Sequence, residues 1–303
     1  SLIVAAACCY SVGFEDKIIL TSDGADCHVR LVRPELRFAA FAARDGKNSR
    51  GSESVGATGD WQCLFLKQDA EAFIDSAAKN AVDLLGAPAA AGGKKTVILA
   101  PAIVGLLSHE AIGHTVEADF VNSGSVAAGK LGTDVASSLV TLCDSGHSEY
   151  APGAGGILPV DDEGVLTERT VIIENGVLKS YLHNRETAAQ HGVAPTGNAR
   201  AWEFSDEPLI RMRNTYIEPG KDELNDMIAG IDEGYYIDGP EGGQADATGE
   251  FMFGANRVRT IKDGKLGEVV QKVTVSGNAF AVRKSVDAVS KDFRWDLGAG
   301  HCG

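Results

Sequence analysis

Apolar and polar positions alternate with a period of two over the first forty residues. Residues 2–11 (LIVAAACCYS) and 17–21 (KIILT) predict strands, with a turn at Val12-Gly13 and the Glu15-Asp16 pair between them. Alternating apolar positions continue over 26–43 at Val29, Leu31 and Val32, then Leu36, Phe38 and Ala40, and the Gly-, Ser- and charge-rich stretch 44–60 predicts a loop. Over 69–85 the period lengthens to that of a helix. Phe73, Ile74, Ala77, Ala78, Ala81, Val82 and Leu85 share one side, Asp69 is placed to cap the start, and Gly86 and Pro88 end it. Residues 87–94 (APAAAGGK) read as a linker. Beyond it, 96–100 predicts a short buried strand, and Pro101 opens a helix that carries SHEAIGHTVEADF. The remainder is β-rich, with hairpins over 165–181 about Asn175-Gly176 and over 257–270 about Asp263-Gly264, and a short helix at 222–230. The expected architecture is α+β: a small strand-and-helix domain over 1–93, then a β-rich domain over 94–303 with the histidine motif on a buried helix.

Composition narrows the function classes. The chain has 303 residues and a net charge of -14, from 28 Lys and Arg against 42 Asp and Glu. Such a surface repels phosphate backbones and anionic lipid, which argues against nucleic-acid and membrane partners. No apolar run reaches the 18 or so residues of a membrane-spanning helix. The apolar opening lacks the basic n-region of a signal peptide. The six cysteines include no CxxC pair, which suits a reducing, cytoplasmic setting. A start without Met and a Gly-rich end lead us to expect a piece of a longer chain.

Chemistry concentrates in His109-Glu110-Ala111-Ile112-Gly113-His114. With seven histidines and nineteen glutamates in the chain, this pattern arises by chance in about one such sequence in a hundred. Neutral imidazoles suit zinc, and the adjoining carboxylate can move a proton from water to a leaving amine. The spacing, however, is five rather than the familiar four. On an ideal α-helix five residues turn about 140°, too far for both rings to meet one metal. A π turn would bring them onto one face, and Gly113 would make that distortion cheap. A non-α turn between Ala111 and His114 is therefore expected. A catalytic zinc needs a third protein ligand, and Cys143, His147, His183, His191, His301 and Cys302 are the candidates. Cys302 stands out, because the small residues around it allow close approach. Gly242, Gly243 and residues 211–216 are candidates for lining a peptide groove. Asp161-Asp162-Glu163 reads as a solvated acidic turn rather than a cation site. Cys8, Cys9, Cys27, Cys63 and Cys143 are expected as buried small hydrophobes, and His28 and His183 as ordinary surface or core residues.

The stretch SHEAIGHTVEADF resembles the signature of the TldD/PmbA family of metalloproteases, in its TldD-type branch. Further stretches match in order: VDDEG at 160–164, RTVIIENGVLKSYL at 169–182, GVAPTGNAR at 192–200, RMRNTY at 211–216, GPEGGQADATGEFMF at 239–253 and DLGAGHCG at 296–303. The resemblance implies a C-terminal metallopeptidase domain in which zinc is held by His109, His114 and Cys302, with Glu110 as general base. Glu117 and Asp119 also match; they either orient the histidines or are solvated acids at a helix end. It further implies unfolded or leader-type peptide substrates, handled in an enclosed cleft of a homodimer or of a heterodimer with a PmbA-type subunit. PmbA-type members lack the histidine motif, which this chain keeps. Family members also carry a further N-terminal α/β domain and continue past the cysteine. The other function class in view is a non-catalytic peptide-binding or assembly subunit.

Overall fold

The computed structural model describes residues 2–66, 69–246 and 248–296, excluding the side chains of Phe280 and Arg283. Cys302 and His301 lie outside the described residues. β1 (Ile3–Leu20) runs antiparallel to β2 (Asp26–Arg44), with a single register shift between Ile3 and Ala5. No turn forms at Val12-Gly13: Gly13 pairs with Arg33 and the strand continues. Successive strand residues face opposite ways, so each acid of the Glu15-Asp16 pair meets its own cross-strand cations. Arg33 pairs with Glu15, while Arg30 and His28 reach Asp16 at 3.0 and 2.6 Å. The chain instead reverses over 21–25, where Gly24 takes φ +111°.

The expected loop at 44–60 is mostly strand. Asp45 and Gly46 take φ 51° and 75°, and β3 (Lys47–Gly56) pairs along β2. Its polar composition fits an edge strand with one partner. Gly51 lets it approach α1 (Ala70–Leu84), because a Cβ there would lie 2.1 Å from the Ala77 carbonyl oxygen. The helix begins as expected, with Asp69 accepting the Ala72 N–H, and buries Phe73, Ala77, Ala81 and Leu84 against the sheet. The other face of the sheet is left for a cleft.

β4 (Thr96–Leu99) leads into α2 (Pro101–Ser108), a π turn at His109–Gly113, a 3₁₀ turn at His114–Val116 and α3 (Ala118–Asn122). A four-stranded sheet follows from β5 (Leu142–Ser145), β6 (Thr170–Glu174), β7 (Val177–Leu178) and, after α4 (Arg185–His191), β8 (Ala199–Arg200) and β9 (Leu209–Ile210), from β10 (Asn214–Ile217). Its order is β10-β5-β6-β7, and β8 pairs separately with β9. After α5 (Leu224–Ala229), a five-stranded sheet forms from β11 (Glu233–Ala245), β12 (Glu250–Lys262), β13 (Lys265–Val270) and β14 (Val273–Asn278), joined by β4 in parallel to β11; α6 (Ala279–Lys284) follows. Both expected Asx-Gly hairpins are present, with φ 46° and 86° at Asn175-Gly176 and 49° and 72° at Asp263-Gly264. The fold is α+β.

The histidine motif lies between two cores. Ile103, Leu107 and Ala111 pack with Ile237, Phe253 and Val258 of the five-stranded sheet. Ile112 and Val116 pack with Leu142, Ile172, Leu182 and Met212 on the other side. Apolar contacts on two sides fix the motif's position. No helix among the described residues is long and apolar enough to cross a membrane.

Candidate metal centre

The backbone widens where the spacing requires it. The His114 N–H donates to the His109 carbonyl, an i to i−5 bond, and the two rings come to 5.0 Å between centroids at 82°. Gly113 serves a different purpose from the one expected. Its φ of −52° and ψ of −53° are ordinary right-handed values. What excludes a side chain is Met212, whose Sδ lies 1.7 Å from where a Cβ would stand.

Behind His114, its Nδ1 lies 3.2 Å from Oε2 of Glu117, a residue with no solvent exposure. Burial pushes the Glu117 carboxyl above its ordinary range, while the hydrogen bond from His114 and the charges of His114 and Arg211 pull it down. Arg211 Nη1 stands 3.9 Å from the same oxygen. An imidazole whose Nδ1–H is held by a carboxylate is fixed in the tautomer whose ligating nitrogen is Nε2. Asp119 does otherwise, accepting the Phe120 N–H in its own helix.

His109 and Glu110, both half-buried, line a cleft of about 1030 Å³ whose opposite wall is the open face of the β1–β3 sheet. Six arginines line it, Arg33, Arg37, Arg50, Arg200, Arg213 and Arg257, and no lysine does among the described residues. Glu15, Glu53, Glu110 and Asp296 line it as well, and most of the arginines are held by acids of the chain itself. Arg33 pairs with Glu15, and Arg37 binds Glu35 at 2.6 and 3.1 Å. Arg257 pairs with Glu53 and Asp238, and Arg213 is buried against Asp144. Arg50 is exposed on the sheet wall. Gly242 and Gly243 line the cleft, as do Met212, Arg213 and Thr215 of the 211–216 run. Cys8 and Cys9, expected to be buried, are both exposed and line it, Cys9 on the same face as its cross-strand partner Arg37.

The other nominated ligands lie elsewhere. Cys143 is buried with its Sγ 3.8 Å from Glu218 Oε1, and His147 Nε2 meets the Thr167 carbonyl at 3.0 Å. His183 and His191 pair with each other near Tyr181. Among the described residues no three His, Cys, Asp or Glu side chains gather into a metal-binding set, and Cys302 is not among them. The 161–163 turn is not solvated. Asp161 is buried and accepts backbone N–H groups of Glu163, Val165 and Ala199 at 2.9–3.0 Å, and Asp162 accepts that of Ala201 at 2.8 Å. These carboxylates fasten the turn to β8.

The donors that are present fit a borderline metal such as zinc: two imidazoles on one face, one oriented by a buried carboxylate, with a second carboxylate beside them in a cleft. Fold and site together define a metallopeptidase-like protein. Residues 92–303 match the model of the PmbA/TldA metallopeptidase C-terminal domain, and residues 3–85 that of the central domain. The chain belongs to the PmbA/TldD family of metallopeptidases. It is 38% identical over 290 residues to a metalloprotease of Methanothermobacter thermautotrophicus, covering 94% of this chain and 61% of that protein. It is 34% identical over 240 residues to a protein named zinc metalloprotease TldD homolog from Saccharolobus solfataricus, covering 79% and 53%. The solved structure of TldE from Thermococcus kodakarensis superposes with a TM-score of 0.78 at 25% identity, covering 93% of this chain and 63% of that one. The chain thus spans about three fifths of the length of the curated relatives it matches.

Proposed function

We propose that this chain is the catalytic part of a zinc-dependent peptidase acting on unfolded or leader-type peptides, with His109, His114 and Cys302 as ligands and Glu110 as general base. The observation that carries the reading is the π turn, which brings His109 and His114 to 5.0 Å beside Glu110 on a cleft wall. When bound, the zinc supplies Lewis-acid polarisation of a water and of the scissile carbonyl. Glu110 takes the proton of the attacking water and delivers it to the departing amine. Glu117 holds His114 through Nδ1. The cleft is wide enough for an extended chain, and strand addition would read backbone more than side chains. Arg50, exposed on the sheet wall, would favour a peptide carboxylate placed beside it. A second subunit, a like chain or a PmbA-type partner, encloses the cleft in the working protein.

Zinc per chain by plasma mass spectrometry, on the parent and on Cys302→Ser, tests the ligand set. One zinc per chain, lost or much reduced in the variant, is the expected result; no zinc in either would reject it. Zinc bound with no cleavage of any unstructured peptide would favour the non-catalytic peptide-binding subunit instead.

A further inference from the structure

Three consecutive residues from outside the motif meet it or its supports. Met212 is 1% exposed, and its thioether fills the notch at Gly113: a Cβ there would lie 1.7 Å from Sδ, 2.8 Å from Cε and 3.1 Å from Cγ. Arg213 is locked beneath it, donating from its backbone N–H to Asp144 Oδ1 at 2.9 Å and from Nε to Oδ2 at 2.7 Å, with both side chains wholly buried. Arg200 Nη1 donates to the Met212 carbonyl at 3.0 Å. Arg211 donates its N–H to the Asn198 carbonyl at 2.8 Å and directs its guanidinium to Glu117, the carboxylate behind His114.

A π turn carries one more residue than the α turn it replaces, and isolated π turns are rare. Relaxation to i to i−4 bonding would rotate His114 by about 100° away from His109. Something outside the helix must hold the wider turn, and the body packed against its last residue is Met212. An unbranched thioether suits such a wedge, since it fits an irregular gap at low cost.

We infer that Met212, fixed in register by Arg211 and Arg213, is the positioning residue of the metal-binding turn: wedged at Gly113, it keeps the turn wide so that His109 and His114 share one face. The inference rests on the metal reading of the motif. It assigns residues 211–213 the role of a brace in addition to the cleft lining at Met212 and Arg213.

The test is a double-mutant cycle of Gly113→Ala and Met212→Ala, read by zinc affinity in chelator competition and by backbone carbon shifts of residues 109–114 in the metal-free protein. A methyl at residue 113 collides with the thioether, whereas removing the thioether makes room for it. Gly113→Ala is expected to weaken zinc at least tenfold and Met212→Ala about threefold to tenfold. The double variant should return to within about threefold of Met212→Ala, with the shifts following the same order. A residue that merely stabilised the fold would lower the melting temperature without this coupling in zinc affinity. If Gly113→Ala alone fails to fold, recovery of folding in the double variant supports the wedge. A double variant no better than Gly113→Ala overturns it, as does Met212→Ala with parental zinc affinity and parental shifts. If the parent itself binds no zinc, the metal reading fails, and the metal-free shifts still decide for or against the wedge.

Discussion

Among the described residues, two histidine pairs are of nearly equal closeness. His109 and His114 stand 5.0 Å apart between ring centroids, and His183 and His191 stand 5.1 Å apart. Their surroundings differ. The first pair has a buried carboxylate behind one ring and a cleft beside the other. In the second, His183 is 3% exposed and its Nδ1 meets the Thr187 hydroxyl at 3.1 Å, while His191 Nε2 meets Asn122 Oδ1 at 2.9 Å. Burial, with a smaller contribution from His191, lowers the His183 pKa to about 4. A hydroxyl and an amide suit neutral imidazoles, whereas a carboxylate behind a ring favours a cation in front of it. Closeness of two rings is thus a packing outcome that either role can share. The partner behind the ring and the space before it are what would distinguish a ligand pair from a packed pair.

The sharpest way to break this comparison is at Glu110, beside His109 on the cleft wall. Glu110→Gln should keep zinc and lower kcat by about 10²–10⁴-fold on an unstructured peptide; turnover retained in rigorously purified variant would reject the assignment. Next is the pH response of the packed pair. Below pH 6.5 the unfolded chain takes up a proton at this histidine that folded His183 refuses until about pH 4. Stability is therefore lost as pH falls through that window, by up to about 3 kcal/mol. His183→Gln should flatten the dependence of the urea midpoint on pH between 6.5 and 4 while leaving zinc content unchanged. An equally steep dependence in the variant would show that His183 is not its source.

Removing the carboxylate behind His114 should have a smaller effect. Glu117→Gln is expected to weaken zinc by about 10–100-fold with the fold retained, whereas Asn122→Ala, at the other pair, should leave zinc affinity as it was. Equal effects from the two would erase the distinction drawn between them. Smallest is the cleft wall. Arg50→Glu should raise KM about threefold to tenfold for a peptide rich in Asp and Glu, and little for its amidated counterpart. Parallel KM changes for both peptides would remove the arginines from substrate preference.

Much of the secondary structure was legible locally. Asp69 and the apolar positions after it marked α1, and the two Asx-Gly dipeptides marked both hairpins, because caps and left-handed turn positions depend on adjacent residues. Strand ends were less so. The Glu15-Asp16 pair resembled a turn because its cations, Arg33, Arg30 and His28, come from the next strand. Polar β3 resembled a loop because α1 covers it and β2 pairs with it. In the candidate site, the five-residue spacing pointed to a non-α turn, since on an ideal α-helix the two histidines could not face one metal.

By itself, then, the sequence carried what local backbone geometry and ordered motifs can carry: the α+β class, a non-α turn between Ala111 and His114, and the TldD/PmbA resemblance. Only the tertiary structure decided the rest. It showed that Gly113 makes room for Met212, that Glu117 rather than Asp119 backs His114, that Asp161 is an internal fastening, and that Cys9 faces a cleft. Most of these bring together segments distant in the chain: Met212 lies 99 residues beyond Gly113, and Ala199 lies 38 beyond Asp161. The encounter of such segments is fixed by how the two sheets close around one helix, which no local pattern records.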